Sequence, residues 1–458
     1  MLRRVVRGVV AVVVVVVAAV AGLSAAVAAA TVTDTPVLLI VCGLVVEFVV
    51  ALGGLLMLRS STRRMRVAAV AAAVILTAVS GFAAAVPRPD ARPAPAVAGQ
   101  AFWQLDTGSR IRHVHMAARG PRRPHPVVFL HGGPGVPDMA GDAAYLRPLR
   151  DDGFDVYVYD QLGSGRSTRL PDPSGYGVDR DVADLEAVRE RIGADRMILV
   201  GHSYGTDLAA RYLARHPEHV ARLVLLSPGR LDPADTSGAN ATARLDAPGK
   251  LRLYGSLAAP RSLLGYLLLQ VNPRAAHAYM PDAEADARND QVLRMSAPAL
   301  HCTPAQAHRP APGSGFYALQ YPQSAASGTR TDPRPALRGA ATPTLILKSS
   351  CDYLSWPDHQ RTLSDVTLLY YRGAGHNITQ DRPDDVLAAI RAFLTDAPLP
   401  QPPYRGTDAP DDFEGPRWSA HAYVRPARAT CPSPRSVTRV PGVTPGRRRR
   451  VTRGPREA

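Results

Sequence analysis

The sequence predicts an α/β protein, a mostly parallel sheet covered by helices and preceded by a group of apolar, membrane-length helices. Three observations predict it. From residue 101 onward, short apolar segments such as Val127–Leu130, Val156–Tyr159 and Leu223–Leu226 alternate with helical stretches, the pattern of parallel strands buried on both faces. One such segment, Arg196–Val200, runs straight into Gly201-His202-Ser203-Tyr204-Gly205 and then into another helical stretch. Ahead of all this lie three long stretches almost without charge.

Those stretches are Val9–Ala30, Val37–Leu58 and Val67–Val86, within a region 1–86. Each is about the ~20 residues that a membrane-crossing helix needs. Glu47 is the one charge inside them, and lipid is a costly neighbour for it, so it should face other helices. Arg3, Arg4 and Arg7 precede the first span, and Arg59, Arg63, Arg64 and Arg66 lie between the second and third. The positive-inside rule puts both clusters in the cytoplasm and everything after Val86 outside. Reading the first span as a signal peptide cleaved near Ala25–Ala30 leaves that orientation unchanged.

Residues 87–100, rich in Pro, Ala and Arg, read as a linker. Trp103–Leu105 and Ile111–His115 suggest an opening hairpin, and Val182–Ile192 has Val182, Leu185, Val188 and Ile192 on one helical face. Thr344–Lys348 and Val366–Tyr371 are further strands, and Pro383–Leu394 is the closing helix. Residues 101–416 thus form the α/β domain. The alternation stops over about 231–338, a helix-leaning, proline-punctuated insertion placed as a cap. The Arg/Pro/Ser/Thr-rich residues 417–458 read as a disordered tail, with Arg447–Arg450 a solvated charge run.

Strand, G-x-S-x-G and helix form a nucleophile elbow, a crowded turn that lifts a serine above the sheet edge and favours glycine two residues to either side of it. Serine needs a base, and α/β-hydrolases place Ser, Asp/Glu and His in that chain order. Two later strands supply candidates: the first runs into Ser349-Ser350-Cys351-Asp352, the second into Arg372-Gly373-Ala374-Gly375-His376. His376 is read as the base toward Ser203, and Asp352 as its orienting carboxylate. Asp358 and Asp365 are substitutes for Asp352, but they fall within or after the next helical stretch. The turn His131-Gly132-Gly133-Pro134-Gly135 follows a strand and can aim backbone N–H groups at a developing oxyanion. Its expected donors are the N–H groups of Gly133 and Tyr204, with His131 and Pro134 shaping the loop.

Together with Tyr159-Asp160-Gln161-Leu162-Gly163-Ser164-Gly165-Arg166-Ser167, these motifs resemble the proline iminopeptidase family, over roughly Ala101 to Pro416. The resemblance implies an α/β-hydrolase fold with a helical cap, and release of N-terminal residues, often proline, from peptides through an acyl-enzyme. Family members commonly have Arg where this chain has Leu162, and the family's tryptophan-rich acidic cap motif is not evident. An aminopeptidase needs a carboxylate for the substrate ammonium. The acidic segment Pro281–Asp290 offers Asp282, Glu284 and Asp286, with Asp282, Asp286 and Asp290 aligned if helical. An esterase or amidase acting on small acyl substrates would use the same triad. A domain that only binds a ligand would need neither triad nor oxyanion loop.

The net charge of +15 sits at the ends: seven arginines against Asp34 and Glu47 in 1–86, and eleven against Glu457 in 417–458. A neutral middle excludes a nucleic-acid footprint. No cofactor is expected, since the serine supplies covalent catalysis, and no Cys/His spacing suggests a metal. Cys42 lies within a span. Cys302, Cys351 and Cys431 would be exported, where disulfides are permitted, and a Cys302–Cys351 bridge would tie the cap to the loop carrying Asp352.

Overall fold

The computed structural model describes residues 2–59, 62–87, 93–233, 235, 240–304, 312–318 and 331–417. The expected tail, with Cys431 and Arg447–Arg450, lies outside them apart from Arg417, as do the middle of the linker and parts of the cap.

Three helices open the chain, α1 (Leu2–Ala29), α2 (Pro36–Arg59) and α3 (Arg63–Ala85). Each is long and apolar enough to cross a membrane. They reach further than the uncharged stretches: α1 takes in its arginines, and α3 starts at Arg63 behind the Thr62 cap. Arginine is a good helix former, so a charge does not end a helix. Gly22 and Gly43 let α1 and α2 approach closely, because a β-carbon on Gly22 would sit 2.8 Å from the Gly43 carbonyl. Glu47 is buried between these helices and accepts a 2.7 Å hydrogen bond from the Ser80 hydroxyl.

The α/β domain begins with the antiparallel hairpin β1 (Gln100–Gln104) and β2 (Arg110–Met116), in which Trp103 faces Ile111. Five strands then alternate with helices: β3 (Val127–Leu130), α4 (Met139–Leu146), β4 (Val156–Tyr159), α5 (Val178–Ile192), β5 (Met197–His202), α6 (Tyr204–Arg215), β6 (Val220–Leu226) and, after the insertion, β7 (Thr344–Cys351). β8 (Val366–Gly375) closes the sheet. Among the described residues eight strands form one sheet in the order β1-β2-β4-β3-β5-β6-β7-β8, parallel from β4 to β8. β3, β4 and β7 are buried along their whole length, so β3 and β4 read as unbroken apolar runs instead of alternating, as does the start of β7. Leu130, Leu199, Leu208 and Leu223 pack on one face of the sheet. Phe129, Val200, Val224 and Leu347 pack on the other, under the short α12 (Ile378–Asp381) and the closing helix α13 (Pro383–Thr395).

The insertion is helical: α7 (Ala247–Leu257), α8 (Pro260–Val271), α9 (Pro273–Tyr279) and α10 (Asp282–Ser296), then the short α11 (Arg334–Leu337). Prolines stand in the first turn of α7, α8 and α9, where the missing N–H has no partner to lose. The strand register brings the carboxyl ends of β5, β6, β7 and β8 to one edge: His202 faces Leu226, and Cys351 faces Gly375. Ser203, Asp352 and His376 each follow one of those ends.

Candidate active site

Ser203 sits between β5 and α6 with φ 53° and ψ −117°, a left-handed conformation rare outside glycine. The turn is crowded as its sequence implies. A β-carbon on Gly201 would run into the Gly205 carbonyl, and one on Gly205 into that of Leu130. The Ser203 N–H donates to the Leu226 carbonyl at 3.0 Å, fixing the elbow to the next strand. The serine Oγ lies 2.8 Å from His376 Nε2, and His376 Nδ1 lies 2.7 Å from Asp352 Oδ1. The structure therefore brings the three residues into one hydrogen-bonded chain.

Asp352 is fully buried. Burial alone would raise its pKa, but the Lys348 ammonium and His376 outweigh it and hold the carboxyl at about 2. Its Oδ1 also accepts from the Leu354 N–H, and its Oδ2 accepts from Lys348 Nζ at 2.7 Å. Lys348 donates further to the Pro228 and Leu354 carbonyls, and burial lowers its own pKa. Sequence reasoning missed Lys348 because β7 was expected to end there; the strand continues to Cys351. The signal was a lone cation in an apolar strand four residues before the acid. Tyr353 was missed as well. Its ring leans on His376 with centroids 4.5 Å apart, and burial pushes the phenol up.

The loop carrying His376 is held from behind. Asp381 Oδ2 accepts from the Gly375 N–H at 2.6 Å, and Asp381 Oδ1 lies 2.6 Å from Nδ1 of the buried His301. Next to His301, Cys302 forms a disulfide with Cys351, their α-carbons 5.3 Å apart. The acid loop and the base loop thus share one brace.

Gly132 lies against Ser203: a β-carbon there would be 3.1 Å from that of the serine. Gly133, at φ 120°, is in a conformation that glycine alone adopts readily. His131 locks this turn to the Asp160–Ser167 loop. Its Nε2 accepts from the Gln161 N–H and its carbonyl from the Gln161 side chain, both at 3.0 Å, while burial lowers its pKa. Asp160 in turn pairs with Arg112 at 2.6 Å and accepts from the Arg166 N–H. Tyr204 opens α6, where N–H groups point out of the helix. Its phenol donates to Asp181 at 2.5 Å and meets the Tyr317 hydroxyl at 2.6 Å. Burial, opposed by the two phenol hydrogen bonds, pushes Asp181 up to about 7.

The acidic cap residues share α10 but not one environment. Glu284 needs correcting as an ammonium ligand: it lies two residues from both Asp282 and Asp286, and both its oxygens are taken by arginines. Arg261 binds it at 2.6 and 2.7 Å, and Arg288 at 2.8 Å. Asp286 accepts from Arg169 at 2.9 Å through Oδ2, and Asp282 Oδ2 lies 3.3 Å from His277 Nε2. The Oδ1 atoms of Asp282 and Asp286 are buried without a hydrogen-bond partner. Burial raises Asp286 to about 7. Asp290 instead holds the Gly313 N–H and the Ser314 hydroxyl. Among the described residues Glu186, His216 and His219 bring their side-chain donor atoms within 4.8 Å of one another. Arg189 and Tyr212 already engage the Glu186 carboxylate, so the group offers a cation little free charge.

The chain is similar to proline iminopeptidases: 40% identical over 105 residues to that of Saccharolobus solfataricus, and 33% over 146 residues to that of Neisseria gonorrhoeae. These matches take in 22% and 32% of this chain, and 32% and 44% of the relatives. A 2-hydroxy-6-oxononadienedioate/2-hydroxy-6-oxononatrienedioate hydrolase of Klebsiella pneumoniae is 32% identical over 139 residues, 30% of this chain and 48% of that relative. The chain thus spans 32% to 48% of the length of these curated relatives. Among solved structures, proline iminopeptidase from Mycobacterium smegmatis aligns at 19% identity and TM-score 0.44, over 65% of this chain and 98% of that one. Residues 125–379 match the family model described as alpha/beta hydrolase fold. That stretch is more than half of the chain and contains Ser203, Asp352, His376 and the glycine-rich turn, and the chain belongs to this family.

Proposed function

We propose that this protein is a membrane-tethered serine hydrolase, an aminopeptidase that releases N-terminal residues, proline among them, from peptides. The observation that carries the reading is the hydrogen-bonded chain from Ser203 Oγ through His376 to Asp352 at the carboxyl edge of the sheet. In the proposed reaction His376 Nε2 takes the Ser203 proton as Oγ attacks the scissile carbonyl. The N–H groups of Gly133 and Tyr204 are the proposed donors to the oxyanion. His376 then protonates the leaving amine, Asp352 stabilises the imidazolium, and water releases the acyl group by the reverse path. The unpartnered oxygens of Asp282 and Asp286 are the proposed acceptors for the substrate ammonium. The similarity to proline iminopeptidases supports the peptide substrate.

In this reading α1–α3 anchor the chain in the cell membrane, and the catalytic domain faces away from the cytoplasm. The arginine clusters support the orientation, and so does the Cys302–Cys351 disulfide, a bond that persists in oxidising compartments. The second reading, an esterase or amidase on small acyl substrates, is favoured by Glu284 being consumed by two arginines.

The test compares full-length protein and its Ser203→Ala variant in detergent on prolyl and alanyl amides, their N-blocked counterparts and short p-nitrophenyl esters. Ser203→Ala should lower kcat by about 10⁶-fold. Cleavage confined to free-amine substrates supports the aminopeptidase; cleavage of esters alone, indifferent to a free amine, replaces it with the second reading.

A further inference from the structure

Helices α7 and α8 carry an apolar surface that the fold leaves uncovered. Among the described residues after Val86, the large apolar side chains left exposed are Leu251, Tyr254 and Leu257 of α7, and Tyr266 and Val271 of α8. Gly249 and Leu253 form the buried face of α7. At 3.6 residues per turn Leu251 and Tyr254 stand on the opposite side. A helix apolar on both faces belongs in an apolar surrounding on both.

The position of α8 identifies that surrounding. Leu267 and Val271 share a groove with Val20, Leu23 and Val27 of α1. Leu263 and Leu264 line a cavity of about 300 Å³ together with Gly43 and Glu47 of α2 and Ser80 of α3. Hydrogen bonds fix the arrangement: Arg261 and Tyr279 donate to the Ala84 carbonyl near the end of α3, and Asn272 donates to that of Ala30. Val20 lies nine residues before Ala29, the last residue of α1, about 14 Å along the helix axis. That is about half the ~30 Å hydrocarbon thickness of a bilayer. If α1 spans, the flank of α8 lies beside lipid and not in water. Lys250 and Arg252 of α7 have stems long enough to bring their charges back to the headgroups.

We propose that α7 and α8 are embedded in the outer leaflet, with Leu251, Tyr254, Leu257, Tyr266 and Val271 among the acyl chains. The cap is then a membrane-binding element in its own right. The inference rests on the tethered reading of the proposed function, and the experiment separates the two. The full-length chain with Cys42→Ala and Cys431→Ala is placed in phosphatidylethanolamine–phosphatidylglycerol nanodiscs at one chain per disc. Leu251→Cys, Leu257→Cys and, as control, Asp384→Cys are then labelled with a charged, membrane-impermeant maleimide. Asp384 is exposed on α13, whose buried residues pack on the face of the sheet opposite the one that meets the spans. Labelling at 251 and 257 should be at least tenfold slower than at 384. Equal rates overturn the proposal. Shielding seen only in crowded vesicles and lost at one chain per disc assigns the surface to a second copy, and also overturns it. Carbonate extraction reports on the tether alone. A chain that washes off removes the tethered reading and this inference with it, whereas one that stays while 251 and 257 label freely removes the inference only.

Discussion

Replacing Lys348 by methionine takes the cation out of a wholly buried ion pair while keeping most of the side-chain volume. Both side chains are inaccessible to solvent, so neither charge can turn to water when its partner goes. In K348M the carboxylate loses the 2.7 Å contact at Oδ2 but keeps His376 and the Leu354 N–H at Oδ1. Breaking one partner of a buried pair costs about 3–5 kcal/mol, and the two surviving hydrogen bonds place K348M near the lower figure. Adding Asp352→Asn leaves no buried charge in the pair. The double variant should therefore lose less than the two single losses combined, with a coupling of about 1–3 kcal/mol. Denaturant midpoints of the four proteins in one detergent give the cycle. The pH dependence supplies a second readout. The Asp352 pKa lies below its ordinary value, so its contribution to stability is present above ~3.9 and lost as pH falls through about 2. Without Lys348 that loss, and the acid limb of kcat/KM, should begin at higher pH. A K348M protein as stable as the parent, or strictly additive losses, would refute the argument that this lysine neutralises the buried acid.

Other consequences can be checked separately. Burial raises Asp181 to about 7, so its contribution is present below ~3.9 and lost as pH rises through about 7. Asp181→Asn should flatten stability between pH 4 and 8, by up to about 4 kcal/mol, in denaturation curves taken across that range. Breaking the Cys302–Cys351 bond, which closes a separation of 49 residues, should cost about 4 kcal/mol, seen as a lower melting temperature under reductant. Asp286→Asn should raise KM for prolyl amide tenfold or more, as for a hydrogen bond to a charged group, and leave ester hydrolysis unchanged; an unaltered KM would retire the amine site. Asp352→Asn should lower kcat about 10⁴-fold, as in other triads, in steady-state assays with the same substrates.

That Ser203, Asp352 and His376 come together was readable from sequence because each lies just beyond a segment that begins as a buried strand, and strand ends share one edge. The elbow and the glycine-rich turn were readable for a related reason: backbone leaves no room for a β-carbon on Gly201 or Gly205, and one on Gly132 would crowd Ser203. Lys348 was not, since a lysine after an apolar run looks like the place where a strand meets solvent. Glu284 was misread because a run of acids looks like one surface, whereas residues two apart on a helix face different ways, here into two arginines. The outward side chains of α7 were hidden for the opposite reason. The insertion is legible only as helix-leaning, and nothing in its pattern separates the exposed Leu251 from the buried Leu253 two residues on.

The hydrogen bonds to the Ala84 and Ala30 carbonyls have a mechanical consequence. Carbonyls at helix ends lack intrahelical partners, and here the cap's Arg261, Tyr279 and Asn272 supply them. Helices α1 and α3 and the α/β domain are therefore bolted together far in sequence from the linker. Lengthening or cutting the chain between Val86 and Ala94 should change little about where the active site stands. The cap is the bracket between those helices and the domain.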